Sequence, residues 1–450
     1  MKKKSDSRRF RLAWPARLAM ATLALCLHGT APAKDTAADS VEGEIIVQLR
    51  ERGDIAPLLV KHQLSLIGRF GMRPIYRLKV VGRANVKQKV EALRREIDVK
   101  SVEPNIVHEV LAPRKNVAWA IGDAQSLTTG QWAAEAIRLA EAQRLSTGKG
   151  IRVAVLDTGV DRRHPRLAGK LLPGFDFVDW DPDPSEVGTV ADRSYGHGTH
   201  VAGLVTLVAP DARIMPLRVL DEDGAGNAWV LAEAMLYAVD PDGNPNTDDG
   251  AHVINLSLSS LTKTELFKTV AKVVACKKKG LRSKDTVADD DDDDDDAVIF
   301  SDKVRCSGFG GAVVVAAAGN RGSDRVREYP AAEDSSSLLS VGASDRNGWL
   351  ASFSNYGWVK LAAPGSEVTS SIPGGGYGTW SGTSMAAPLV SGAAALLRSR
   401  ERDLTADRVV QRLKDRGAKI CGTSMKQLDL VAVLGDKDPR DKPACEERRD

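Results

Sequence analysis

Three short segments of this 450-residue chain carry residue types that could do chemistry together. Asp157-Thr158-Gly159 closes an apolar run. Alone it could be half of an aspartic protease, but that chemistry needs two carboxylates sharing a proton. No second Asp-Thr-Gly or Asp-Ser-Gly occurs. Further on, Gly196-His197-Gly198-Thr199-His200 stands at an expected helix start. Two histidines three apart could hold a metal ion, yet no acidic or cysteine ligand cluster accompanies them. Gly382-Thr383-Ser384-Met385-Ala386-Ala387-Pro388 opens an apolar helix. Helix onset there would set the Ser384 oxygen near unpaired N–H groups and the positive end of the dipole. Pro388 then falls near the first turn, where it disrupts least. Serine, histidine and aspartate are the residue types from which nucleophilic hydrolases build their sites. The Gly-x-Ser-x-Gly elbow of other such enzymes is absent.

These residues need a scaffold, and the pattern of the chain supplies one. Short apolar runs at 151–156, 253–258 and 312–318 alternate with helical stretches at 199–208, 227–239, 262–278, 385–398 and 406–416. Apolar strands interleaved with helices predict an α/β domain with a parallel sheet covered on both faces. Sites in such sheets lie beyond the carboxyl ends of the strands. Ahead of it, 43–110 reads as βαββαβ, the order of a small ferredoxin-like α+β unit. Its second helix should turn Val86, Val90, Leu93 and Ile97 to one face. No sustained period marks 113–134, which reads as an exposed linker.

Taken in the order Asp…His…Ser, the three segments resemble the subtilisin-like serine proteases (subtilases) over roughly 130–435, and 43–110 resembles the inhibitory propeptide that precedes many of them. The resemblance implies that Ser384 attacks the scissile carbonyl, that His197 takes and returns the proton, and that Asp157 orients the ring and stabilises its cation. Ala316-Ala317-Ala318-Gly319-Asn320 matches the strand that ends in the oxyanion-hole asparagine, so Asn320 and the Ser384 N–H become the expected donors. Ser257-Leu258-Ser259 matches the segment that pairs with substrate and walls the primary pocket, with Ser259 where glycine is usual. Tyr329-Pro330 matches the turn at the pocket base, often a cis bond in the family. That puts Glu328 at the floor, where a carboxylate would favour Lys or Arg before the scissile bond. Pairing of Glu328 with Arg321, or Glu328 turned to solvent beside an apolar pocket, are the alternatives. Gly422-Thr423-Ser424-Met425 repeats the serine tetrad without the Ala-Ala-Pro or the helix, so Ser424 is expected at the surface.

The family implies no required cofactor, and no metal ligands are assigned. Arg166 follows His164-Pro165 where a calcium-binding acid is usual, and Val208-Ala209-Pro210 leaves no room for the customary calcium loop. The Asp240–Asp249 turn reads first as a solvated loop and second as a weak calcium site.

The remaining composition bounds partners and address. With 42% hydrophobic and 27% charged residues the chain can bury a sizeable core. Its positive charge is concentrated in 1–17, and a near-neutral body gives no reason to expect nucleic-acid binding. That basic start, the apolar run 18–27 and Ala31-Pro32-Ala33 form a signal peptide over 1–33. The apolar run is too short to span a bilayer. Export, to the periplasm or the medium, is expected. Four cysteines then remain: Cys276, Cys306, Cys421 and Cys445. Three full pairings are open, and the sequential one is the expectation. Eight acids at Asp289–Asp296, within an insert at 279–305, read as a self-repelling surface loop rather than a calcium loop. The expected organisation is a signal peptide at 1–33, a propeptide at 34–112, a linker at 113–134, a catalytic domain at 135–435 and a tail at 436–450. The leading reading is an exported, monomeric serine endopeptidase acting on polypeptides, made as a self-processing zymogen with its own propeptide as inhibitor. A silent binding protein on the same fold, or a processing peptidase with one substrate, are the alternatives.

Overall fold

The computed structural model describes residues 40–435, apart from 51–52, 72, 83–84, 111–113, 121–130, 245–246, 276–309 and 422. The segment read as a signal peptide, the acidic tract and the C-terminal tail lie outside the described residues. The N-terminal unit is βαββαβ as expected: β1 (Ser40–Leu49), a helix Ile55–His62, β2 (Leu64–Arg69), β3 (Ile75–Val80), a helix Val86–Leu93 and β4 (Val99–Val110). Pairing is antiparallel in the order β4-β1-β3-β2. Asp54 and Asn85 cap the two helices by accepting from the N–H groups of Ala56 and Lys87. Val90 and Leu93 pack against Ile45, Val47 and Leu78. Ile97 does not join them. The helix stops at Leu93, and Ile97 lies beyond it with 85% of its surface exposed. A period of apolar residues outran the helix that carried it.

Next come β5 (Arg114–Ala120), β6 (Arg152–Asp157), β7 (Phe175–Asp176), β8 (Arg213–Arg218), β9 (Ala225–Asn227), β10 (Val253–Leu256), β11 (Leu258–Ser259), β12 (Val313–Ala317), β13 (Leu338–Ser344), β14 (Leu361–Pro364), β15 (Val368–Ile372), β16 (Gly376–Ser381), β17 (Ala418–Lys419) and β18 (Lys426–Gln427). The main sheet runs β17-β18-β14-β13-β12-β10-β6-β8-β7, parallel except for the β17–β18 pair. Alternation sorts its two faces. Val153, Val155, Val313 and Val315 meet the helices His197–Val208 and Thr383–Arg400 on one side. Ala154, Leu156, Val314 and Ala316 meet the helices Ala228–Val239 and Glu265–Val274 on the other. The expected doubly covered parallel sheet is therefore present.

One stretch differs from its sequence reading. The linker region contains β5, which pairs antiparallel with β16. Its sequence alternates too weakly to announce a strand, and the partner edge that fixes it lies far along the chain.

Candidate active site

β6 and β10 end side by side at the carboxyl edge of the sheet, and that edge is where the chemistry-bearing residues meet. Asp157 is the last residue of β6 and His197 the first of its helix. Their side chains are buried, with His197 Nδ1 2.6 Å from Asp157 Oδ1. Since a carboxylate accepts, Nδ1 carries the proton and Nε2 is left as an acceptor. Nε2 has no hydrogen-bond partner. The approach depends on Gly198, whose Cβ would stand 2.0 Å from the Gly159 carbonyl oxygen. Only glycine lets the helix start that close to the turn after Asp157.

Ser384 occupies the first turn of Thr383–Arg400 and is fully buried. Its hydroxyl donates to the Ser257 carbonyl at 3.2 Å rather than to His197. Ser257 Oγ returns a bond to the Ser384 carbonyl and accepts from Asn255, which in turn accepts from Ser391. This buried ladder ties the serine's helix to the end of β10. Asn320 lies beside it: its Oδ1 accepts from the N–H and hydroxyl of Thr383 at 2.9 and 3.0 Å. That anchoring fixes the amide orientation, leaving Nδ2 as the outward donor. Nδ2 sits 3.2 Å from where a Gly382 Cβ would be, just ahead of Ser384.

The remaining residues take different places. His200 donates to the Gly378 carbonyl at 3.0 Å and stacks on Trp380 at 4.5 Å, so the two histidines do not form a metal pair. Ser424 is exposed, as expected. Glu328 is buried, 2% exposed, which overturns the solvent-facing alternative. Ser259 Oγ donates to it at 2.5 Å, Asn355 Nδ2 at 3.0 Å, and Arg321 Nε lies 3.3 Å away. The Tyr329-Pro330 bond is cis, and Tyr329 exchanges two backbone hydrogen bonds with Ser260. The segment 257–260 and the turn at 328–330 are thus one bonded unit. Cys421 is in a disulfide, and the other cysteines lie outside the described residues. Glu186, Asn355 and Trp380 were missed in the sequence, because no motif marks them.

Two observations bear on calcium. The Arg166 guanidinium donates to the Thr206 carbonyl, so a cation stands where the family's calcium-binding acid would be. Asp240, Asp242 and Asp249 bring carboxylate oxygens within 4.8 Å of one another. Burial first, and then the charges of Asp249 and Asp242, raise the Asp240 pKa; a bound cation would relieve the second of these. Asp242 is already engaged by Asn244 N–H and Thr247, so these groups fit a weak site.

The cleft is filled by the chain itself. β4 lies between two short strands, with Leu258 opposite Val110 and Ser259 opposite Glu109 on one side, and Gly226 opposite His108 on the other. The Val110 N–H donates to the Gly224 carbonyl. β5 then pairs with β16, which leads directly into Ser384. Upstream, Glu103 accepts from the first N–H groups of Glu265–Val274 at 2.8 and 3.0 Å. Asn105 does the same for Trp229 N–H at 3.2 Å. Two helices of the large domain therefore receive acceptors from the small one. His108, opposite Gly226, is buried with both ring nitrogens unpaired, and burial pushes its pKa down to about 4.

Comparison with known proteins places this arrangement in a family. The Subtilase family profile matches residues 148–426, and that of the Fervidolysin N-terminal prodomain matches 29–105. A thermophilic serine proteinase from Bacillus sp. (strain AK1) is 34% identical over 400 residues, covering 85% of this chain and 84% of that protein. Thermitase from Thermoactinomyces vulgaris is 35% identical over 304 residues, 65% of this chain and 90% of thermitase. The crystal structure of fervidolysin from Fervidobacterium pennivorans, a keratinolytic enzyme related to subtilisin, shares the fold at a TM-score of 0.66 and 24% identity. That alignment spans 89% of this chain and 62% of fervidolysin. The chain belongs to the subtilase family and is a subtilisin-like serine protease with an N-terminal prodomain.

Proposed function

We propose that Ser384, His197 and Asp157 are the nucleophile, general base and orienting carboxylate of an exported endopeptidase made as a self-processing zymogen. The observation that carries this is the Asp157–His197 bond at 2.6 Å, which leaves Nε2 unpaired as an acceptor. Catalysis begins when the Ser384 hydroxyl turns from the Ser257 carbonyl to His197 Nε2. Oγ attacks the scissile carbonyl as its proton passes to Nε2, and Asp157 stabilises the resulting imidazolium. The tetrahedral oxyanion receives hydrogen bonds from Asn320 Nδ2 and the Ser384 N–H. Collapse expels the amine with the proton from His197, and water repeats the sequence on the acyl-enzyme. The chemistry of this family requires no cofactor, and calcium at Asp240, Asp242 and Asp249 would serve stability alone.

Polypeptide substrate would take the place of β4 between β9 and β11, with Ser257, Leu258 and Ser259 as one wall. Glu328 would close the pocket floor, and Arg321 would decide how much of its charge a substrate side chain meets. The domain boundaries are proposed as 1–33 signal, 34–112 prodomain, 135–435 catalytic domain and 436–450 tail, with β5 inside the connector at 113–134. Among the described residues no helix is long and apolar enough to cross a membrane. The test is purified Ser384→Ala incubated alone. It is expected to remain a single chain that retains 34–110, and maturation of that variant would refute self-processing by Ser384.

A further inference from the structure

Beside the Asp157–His197 pair lies a carboxylic acid that acyl transfer does not call for. Glu186 comes from the loop between β7 and the His197 helix, and its carboxylate turns inward to four partners from two elements. On one side Oε1 is 2.5 Å from Thr158 Oγ1, the residue that follows Asp157. On the other, Oε2 accepts from Thr199 N–H at 3.2 Å and from its hydroxyl at 2.7 Å, two residues past His197. Gly196 N–H is the fourth donor. Thr158 Oγ1 in turn accepts from Gly198 N–H at 3.0 Å and lies 3.4 Å from Asp157 Oδ1. Oxygen and nitrogen atoms therefore run from Glu186 through Thr158 and Asp157 to His197 Nδ1.

We propose that Glu186 is a positioning residue that holds Asp157 and His197 in register through Thr158 and Thr199, and that its negative charge adds to that of Asp157 in favouring a protonated His197. The inference rests on the triad reading. It follows from what each atom can donate. When Glu186 is ionised it can only accept, so Thr158 spends its one hydroxyl proton on Glu186. When Glu186 is protonated its own O–H donates to Thr158, and the Thr158 hydroxyl is released toward Asp157 Oδ1. The acid thus sets how many hydrogen bonds Asp157 receives as well as the field around His197. Burial, with the Asp157 charge assisting, raises the Glu186 pKa to about 7, against the opposing bonds from Thr158 and Thr199. The switch therefore falls near neutrality. The titratable neighbours are Asp157 from β6, Asp161 just after it, Tyr195 before the helix and His197 on it, and Tyr195 has its pKa raised partly by Glu186.

The test uses the matured enzyme and its Glu186→Gln and Glu186→Ala variants, with kcat and KM measured on one peptide across pH 5–10. Glu186→Gln keeps the shape and removes the charge. It is expected to hold KM within about twofold and to move the acid limb of kcat/KM down by roughly half a pH unit, the effect of one partly screened charge at second-neighbour distance. Glu186→Ala is expected to lower kcat about ten- to a hundredfold with KM little changed, as slight misplacement of a catalytic pair does. A purely structural role would lower the melting temperature and leave the acid limb in place. An acid limb unmoved in Glu186→Gln overturns the proposal, and it decides alone if Glu186→Ala does not fold. Ser384→Ala run alongside separates the two readings: activity surviving there removes the triad itself.

Discussion

His108 offers a perturbation whose size follows from its surroundings. Its ring sits on β4 in the cleft, opposite Gly226, with neither nitrogen hydrogen-bonded. Removal from water is the whole cause of its depressed pKa, about 4 against an ordinary 6.5. A histidine that is less basic when docked contributes docking energy that is complete above pH 6.5 and is lost as pH falls from there toward 4. At pH 5 the undocked ring is almost fully protonated and the docked ring scarcely so. By itself the histidine should then raise the opening equilibrium of β4 about thirtyfold relative to pH 8, or about 2 kcal/mol. Glu103 works in the opposite direction, because burial raises its pKa to about 7. The difference between two proteins isolates the histidine. Amide exchange of residues 99–110, corrected for intrinsic rates, would be followed from pH 8 to pH 4.5 in Ser384→Ala and in Ser384→Ala with His108→Leu. The parent should open about thirtyfold more than the His108→Leu protein at pH 5, once both are scaled to pH 8. Equal pH dependence in the two would refute the argument from burial.

Three further outcomes are expected. Asn320→Ala should lower kcat about a hundred- to a thousandfold with KM nearly unchanged, since its amide acts on the oxyanion; near-normal turnover in steady-state kinetics would remove it from the site. Arg321→Ala should release the Glu328 carboxylate, now 3.3 Å away, and raise kcat/KM for Lys over Phe before the scissile bond about tenfold at low salt; an unchanged ranking in a matched peptide series would contradict that role. Gly198→Ala should lower the melting temperature by about 5 °C or more and reduce kcat, because its methyl would meet the Gly159 carbonyl; a normal melting curve would show that the backbone there yields.

What the sequence revealed and what it hid divide along a physical line. Asp157, His197 and Ser384 were legible because each sits in a short contiguous motif at the end of a strand or the start of a helix, where local pattern and chemistry coincide. Asn320 was legible for the same reason, at the close of a run of small apolar residues. Glu186 was not, since its meaning lies in contacts to Thr158 and Thr199 on separate elements. Glu328 was placed by the turn that follows it, but its engagement by Ser259, Asn355 and Arg321 belongs to the folded state alone. β5 illustrates the same limit in the backbone, because a strand whose partner is β16 is specified by an edge that its own residues do not record. Ile97 shows the reverse error, an apolar residue in phase with a helix that has already ended.

The central claim is that one activated hydroxyl, at Ser384, carries the reaction. A fluorophosphonate reacts with such an oxygen and stays bound to it, so the decisive measurement is mass-spectrometric mapping of the labelled residue in matured protein. The account predicts stoichiometric label on Ser384 and none on Ser424. Matured protein that takes no label, or that carries it elsewhere, would contradict the assignment.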